Sequence, residues 1–230
     1  MKLKHVTFTG VDWRTDIDEL KTIQNDYPYV EWGVLVAKNW KDNGNRYFNP
    51  SYLEVLENRG LNLSAHLCGS VARAAVRGDM EPYLKWARGH GYIFNRCQLN
   101  VSKSEENPTS FRYRGDISNY FNEVILQQES AENCPLFLNS PISDHITVLL
   151  DASGGCGINA KIEPMKLPHK IGYAGGINPD NVADKLTFLL ESEDVDTFWI
   201  DMESGVRTDD WFDLEKVREV LEICDGILKL

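Results

Sequence analysis

The chain has 230 residues, 42% of them hydrophobic, and a net charge of −11, with an isoelectric point near 4.9. That length and apolar content suit one α/β barrel domain, and the acidity argues against general binding to nucleic acid or an anionic membrane, so any anion site has to be local. No apolar run approaches membrane-spanning length, MKLKHVTFTG lacks a signal-peptide core, and the five cysteines are scattered without a CxxC pair. The expectation is a soluble, cytoplasmic protein with reduced thiols and neither disulfide framework nor zinc finger.

Short apolar runs alternate with helical patterns along the whole chain, the order of βα units. The first strand is expected at His5–Thr9 and the first helix at Ile17–Asn25, followed by a strand at Val30–Ala37. A loop at Trp40–Pro50 leads into a helix at Ser51–Asn58, a strand at Leu61–Leu67, a helix at Met80–Gly89 and a strand at Arg96–Val101. Beyond a loop at Ser102–Ser110, fainter helical patterns at Asn119 and Pro135 flank a strand at Glu123–Gln128. A strand at Ile146–Asp151 then opens into Ser153–Lys170, where GGCGIN and two prolines fit a helix poorly. The last elements are a strand at Ile171–Ala174, a helix at Val182–Glu191, a strand at Thr197–Asp201 and a helix at Leu214–Cys224. Eight strands with intervening helices predict a single (β/α)8 barrel over residues 1–230.

Two consecutive strand-glycine-helix units near the C-terminus carry the strongest functional signal. In GYAGGINPDNV, Gly175 and Gly176 let backbone N–H groups approach an anion without interference from a Cβ, and Asn178-Pro179 starts a helix. TFWID runs into MESGVRT, with Ser204 and Gly205, in the same way. Together the two units predict a phosphate pocket at the C-terminal mouth after strands 7 and 8. Alternation turns Leu61, Leu63, Ala65, Leu67, Cys97, Leu99 and Val101 toward the helices, and leaves Asn62, Ser64, His66, Cys68, Arg96, Gln98 and Asn100 inside. Asp151 and Asp201 close strands 6 and 8 and are expected at the mouth.

These motifs resemble those of the phosphoribosylanthranilate isomerase family, barrels of tryptophan biosynthesis that perform an Amadori rearrangement. GYAGGINPDNV is similar to the family's AGGLNPENV and IDMESGVRT to its VDVSSGVE, which form its phosphate site. LLDASGGCG resembles the family's LLD followed by a loop with GGTG, which implies a general-acid role for Asp151 in opening the ribose ring and places Gly155 in the substrate loop. WGVLVAKNW followed by Arg46 is similar to GFVF followed by SPR, whose arginine binds the anthranilate carboxylate, and CQLN resembles VQLHG.

The departure lies in strand 1. The family reads KICG, its cysteine being the base that removes the C2 proton, whereas this chain reads TFTG and places Thr9 there. A threonine hydroxyl is a poor base. His66 is the first candidate to replace the thiol and Asp12 the second. Cys68 and Cys156 are read as packing residues rather than nucleophiles, and no ligand-spaced pair points to a metal. Glu203 stands where the family has a serine. Arg207 is read as supporting the phosphate or pairing with Glu203.

Two readings follow. One is an isomerase of a phosphorylated sugar derivative, with Asp151 as acid, an altered base and little activity on the family's own substrate. The other is a catalytically silent barrel binding a phosphorylated metabolite as a sensor or partner protein. The expected ligand is a small phosphorylated molecule held by Arg46, Gly155, Gly175, Gly176, Asp201, Ser204 and Gly205. Thr9, His66 and Asp151 are the catalytic candidates; no cofactor is expected, and the chain is a monomer or homodimer.

Overall fold

The computed structural model describes residues 2–41, 44–100, 117–129, 145–165 and 170–229. Its parallel strands are β1 (Leu3–Thr9), β2 (Val30–Val36), β3 (Leu63–Cys68), β4 (Arg96–Asn100), β5 (Glu123–Gln128), β6 (Ile146–Asp151), β7 (Ile171–Ala174) and β8 (Phe198–Met202). They pair in sequence order, and β8 closes the barrel on β1 with Asp201 opposite Thr7. The expected (β/α)8 barrel is the fold observed.

Among the described residues the helices outside this barrel are α1 (Ile17–Asp26), α2 (Leu53–Glu57), α3 (Gly69–Val76), α4 (Glu81–Ala87), α5 (Val182–Glu191) and α6 (Leu214–Leu228). Their starts follow local chemistry. Asp16 caps α1 by accepting from the N–H groups of Asp18 and Glu19, and Asp213 caps α6 through Glu215 and Lys216. The expected helix at Ser51–Asn58 divides into a 3₁₀ turn at Pro50–Tyr52 and the short α2, and only a 3₁₀ turn at Ile117–Asn119 occupies the Asn119 region. Residues 152–165 form no helix, with Gly154, Gly155 and Gly157 at positive φ. Val101, the loop at Ser102–Ser110 and Pro135 lie outside the described residues. Among the described residues no helix is long and apolar enough to cross a membrane.

Alternation sorts β3 and β4 as expected. Leu63, Ala65, Leu67, Cys97 and Leu99 join the buried layer against the helices, while the barrel interior is filled in three levels. At the N-terminal end Arg96 bridges Glu31 and Glu123, and Lys170 also holds Glu123. Above it Trp199 packs with Ile125 and Leu149, its ring centroid 4.4 Å from the Arg96 guanidinium. Gly172 is glycine because a Cβ there would stand 2.3 Å from the Trp199 ring. Above the tryptophan lies a polar level made of Thr9, His66, Gln98, Asp151 and Asp201, which opens at the C-terminal mouth.

Candidate active site

Two carboxylates meet at this mouth in different states of engagement. Asp151 ends β6 and has every acceptor position filled: Oδ1 takes the Ser153 N–H at 3.0 Å and hydroxyl at 2.7 Å, and Oδ2 takes Gln127 and the Gly155 N–H, both at 2.8 Å. Gly155 thus meets Asp151 directly. Asp201, 5% exposed, accepts one hydrogen bond, from the Thr9 hydroxyl to Oδ1 at 2.7 Å. Among the described residues nothing donates to its Oδ2. Burial pushes the Asp201 carboxyl up to about 7; the Thr9 hydrogen bond opposes the rise, and the carboxylates of Glu203, Glu31 and Asp151 add to it.

Thr9 and His66 complete a directed chain of contacts. The Ser64 hydroxyl lies 3.1 Å from His66 Nε2, and His66 Nδ1 lies 3.4 Å from the Thr9 hydroxyl. Because Thr9 donates to Asp201, the consistent assignment puts the imidazole proton on Nδ1 and makes Nε2 the acceptor from Ser64. Desolvation lowers the His66 imidazole to about 4, with Glu31 opposing and Arg96 assisting. His66 is therefore neutral at pH 7, with both nitrogens engaged. Gly33 on the neighbouring strand is glycine because a Cβ there would come within 2.5 Å of the Thr9 hydroxyl.

The phosphate-type loops meet through glycines. A Cβ on Gly176 would lie 2.4 Å from the Ile158 backbone, one on Gly205 would lie 2.0 Å from the Ile177 carbonyl, and one on Gly157 would lie 2.7 Å from the Ser204 hydroxyl. Gly176 also has φ of +62°, which glycine adopts without a steric cost. Asn181 secures the turn by donating to the Gly176 carbonyl at 2.9 Å, and Lys185 of α5 donates to the carbonyls of Gly175 and Ala160. Among the described residues no group accepts from the backbone N–H of Gly176, Ser204 or Gly205. Three donors are left beside one another on two adjoining loops.

Arg207 is placed differently from the sequence reading, whereas Arg46 lies at the mouth. Arg46 reaches across the mouth to Asp210 at 2.6 Å, Glu203 at 2.8 Å and the Ser204 hydroxyl at 3.1 Å. Glu203 thus pairs with Arg46, and the expected Arg207–Glu203 pairing is not formed. Arg207 instead turns into the wall, donating to the Gly10 and Asp210 carbonyls and pairing with Asp12 at 3.3 Å. Asp12 is wholly buried and also accepts from the N–H groups of Arg14 and Phe212. It clamps the β1 loop to the short hairpin of β9 (Arg207–Thr208) and β10 (Trp211–Phe212), which withdraws it from candidacy as the base. Burial and the Glu203 carboxylate raise the Cys68 thiol to about 12, in keeping with packing, whereas Cys156 is exposed.

Fold and mouth together define a (β/α)8 barrel with glycine-built loops after β7 and β8 and two carboxylates at the strand ends. A model of the N-(5′-phosphoribosyl)anthranilate isomerase family matches residues 123–223. That stretch runs from β5 into α6 and holds Asp151, Gly155, Gly175, Gly176, Asp201, Ser204 and Gly205; over it the chain carries this family's pattern. Thr9, Arg46 and His66 lie outside the match. Among solved structures, the chain is similar to the phosphoribosyl anthranilate isomerase from Thermococcus kodakaraensis at 13% identity and a TM-score of 0.55, covering 96% of this chain and 99% of the other. It is likewise similar to the N-(5′-phosphoribosyl)anthranilate isomerase from Pyrococcus furiosus at 16% identity and the same TM-score, covering 96% and 98%. These two likenesses establish the fold. No curated protein matches the sequence.

Proposed function

We propose that this barrel binds a phosphorylated aminoaldose and isomerises it by an Amadori-type proton transfer. The observation that carries the reading is the set of N–H groups at Gly176, Ser204 and Gly205 that nothing accepts among the described residues, on loops where no Cβ fits at Gly176 or Gly205. Backbone donors fixed beside a helix start bind an anion without the entropy loss of ordering side chains. Arg46 supplies a guanidinium at the same rim. A ligand carboxylate reaching it competes with Glu203 and Asp210 for the same donors.

Asp151 takes the acid role implied by the family pattern. Proton delivery from it requires Gln127 or the Ser153–Gly155 turn to release one oxygen, since both are occupied. That saturation favours the second reading, a silent barrel that binds a phosphorylated metabolite as a sensor or partner protein. Turnover separates the two.

Ribose 5-phosphate at ten times its dissociation constant should stabilise the protein by about 1.4 kcal/mol and raise melting by a few degrees, about 2–4 °C per kcal/mol for a chain of this size. Ribose should give no shift, and Ser204→Asp should abolish the phosphate-dependent one by placing a carboxylate against the anion. Asp151→Asn should keep the shift while cutting turnover of N-(5′-phosphoribosyl)anthranilate roughly a hundredfold or more. An equal response to ribose and its phosphate removes the phosphate site; equal turnover in Asp151→Asn removes the acid.

A further inference from the structure

We propose that the Asp201 carboxylate, through its free Oδ2, is the base that removes the C2 proton of the ring-opened substrate, with Thr9 and His66 as positioning residues. The assignment rests on the isomerase reading above and supplies the step that Thr9 cannot perform. Its geometric basis is the contrast between the two mouth carboxylates. Asp151 has all four acceptor positions filled, whereas Asp201 offers an oxygen with no donor among the described residues and is oriented through the other by Thr9 at 2.7 Å.

The neighbours of Asp201 suit that task. Gly33 on the neighbouring strand leaves the Thr9 hydroxyl room, since a Cβ there would stand 2.5 Å from it. Behind it the Ser64–His66–Thr9 chain delivers hydrogen bonds in one direction, toward Asp201. His66 has no nitrogen lone pair left for a substrate proton, so its part is orientation. The groups acting on Asp201 are Thr9 from β1, Glu31 from β2, Asp151 from β6 and Glu203 just beyond β8, with His66 from β3 behind Thr9. Three carboxylates and a low-dielectric surround place the Asp201 carboxyl near neutrality, where a general base works best at cellular pH.

The step balances without a further reactant. The C2–H bond breaks, its proton passes to Asp201 Oδ2, and its electron pair forms the C1=C2 bond as the C1=N electrons return to nitrogen. The resulting enol becomes the ketone when Asp201 returns a proton to C1 and the enol proton leaves to the carboxylate that opened the ring, Asp151 in this reading. Both carboxyls end as they began.

The test is the anthranilate-fluorescence assay with freshly made N-(5′-phosphoribosyl)anthranilate, run from pH 5 to 9 on three proteins. Wild-type turnover should rise with pH through about 7 and level off. Asp201→Asn, which keeps size and shape, should lose roughly 10²- to 10⁴-fold in kcat while retaining its melting shift with ribose 5-phosphate, the check that it is folded and binds. Thr9→Val removes a hydrogen bond that favours the ionised carboxyl, so its acidic limb should move to higher pH; a merely structural role for Thr9 would lower turnover without moving the limb. Wild-type turnover that survives Asp201→Asn within tenfold overturns the base assignment and leaves the isomerase reading standing. Absence of wild-type turnover alongside a phosphate-dependent melting shift overturns both.

Discussion

Arg96→Met is expected to cost about 3–5 kcal/mol of stability, the usual consequence of removing one member of a buried ion pair, and to lower melting by roughly 10 °C or more. Arg96 is 1% exposed. It holds Glu31 at 2.8 Å and Glu123 at 2.9 Å, while Lys170 holds the other oxygen of Glu123 at 2.6 Å. Two cations and two carboxylates make this level of the barrel neutral, and the Trp199 ring packed against the guanidinium adds a cation–π contact. Methionine fills similar volume but leaves the wholly buried Glu31 with only the Thr7 hydroxyl as partner. Burial by itself would raise Glu31; the Arg96 charge outweighs it and holds the carboxyl below its ordinary value. Urea unfolding followed by circular dichroism checks the loss, and adding Glu31→Gln to Arg96→Met should recover part of it. A loss under about 1 kcal/mol would mean that Glu31 takes up a proton at little cost, or that water already fills this level.

The second large effect concerns pH, and here catalytic fitness and stability oppose one another. Asp201 is raised from an ordinary 3.8 to about 7 in the folded protein, so between these values the native state binds more protons than the unfolded chain. Its contribution is fully present below about 4 and is lost as pH rises through about 7. Some three units correspond to about 4 kcal/mol at most. His5 and His66, both lowered to about 4 by burial, act in the reverse sense: their contribution is lost as pH falls from 6.5 toward 4. The wild-type profile is therefore flattened across this window. Asp201→Asn removes one of the opposing trends, and its stability should exceed that of the wild type at pH 8 by roughly 2–3 kcal/mol more than at pH 5. Unfolding titrations at the two values check this, and a difference that does not change with pH would show that Asp201 titrates like an exposed aspartate. A residue that destabilises the fold where its activity requires it is what a functional site commonly shows.

The strands were legible wherever an apolar run ended at a turn signal. Glu123–Gln128, Ile146–Asp151 and Ile171–Ala174 carry the expected bounds. Helix α3 was not read, because eight residues opening on a glycine give barely two turns of periodicity. The β9–β10 hairpin was missed because its turn is made by Asp209 and Asp210 at positive φ, a choice less diagnostic than Asn-Gly. The polar inner faces of β3 and β4 followed from alternation alone. Longer reaches left no local trace. Thr9 meets Asp201 across 192 residues because β1 closes the barrel on β8, and Arg46 finds Glu203, Asp210 and Ser204 because the β2 and β8 loops share a rim. Those contacts, which sequence spacing does not encode, moved the base assignment from His66 to Asp201 and returned Arg207 and Asp12 to the scaffold.

The proposed function centres on a phosphate held over the β7 and β8 loops. Crystals grown with ribose 5-phosphate test that directly. The expected result is phosphate density within hydrogen-bond distance of the Gly176, Ser204 and Gly205 N–H groups, with the sugar extending toward Asp151 and Asp201. A phosphate bound elsewhere, or no density at concentrations well above the dissociation constant measured by melting, would contradict it.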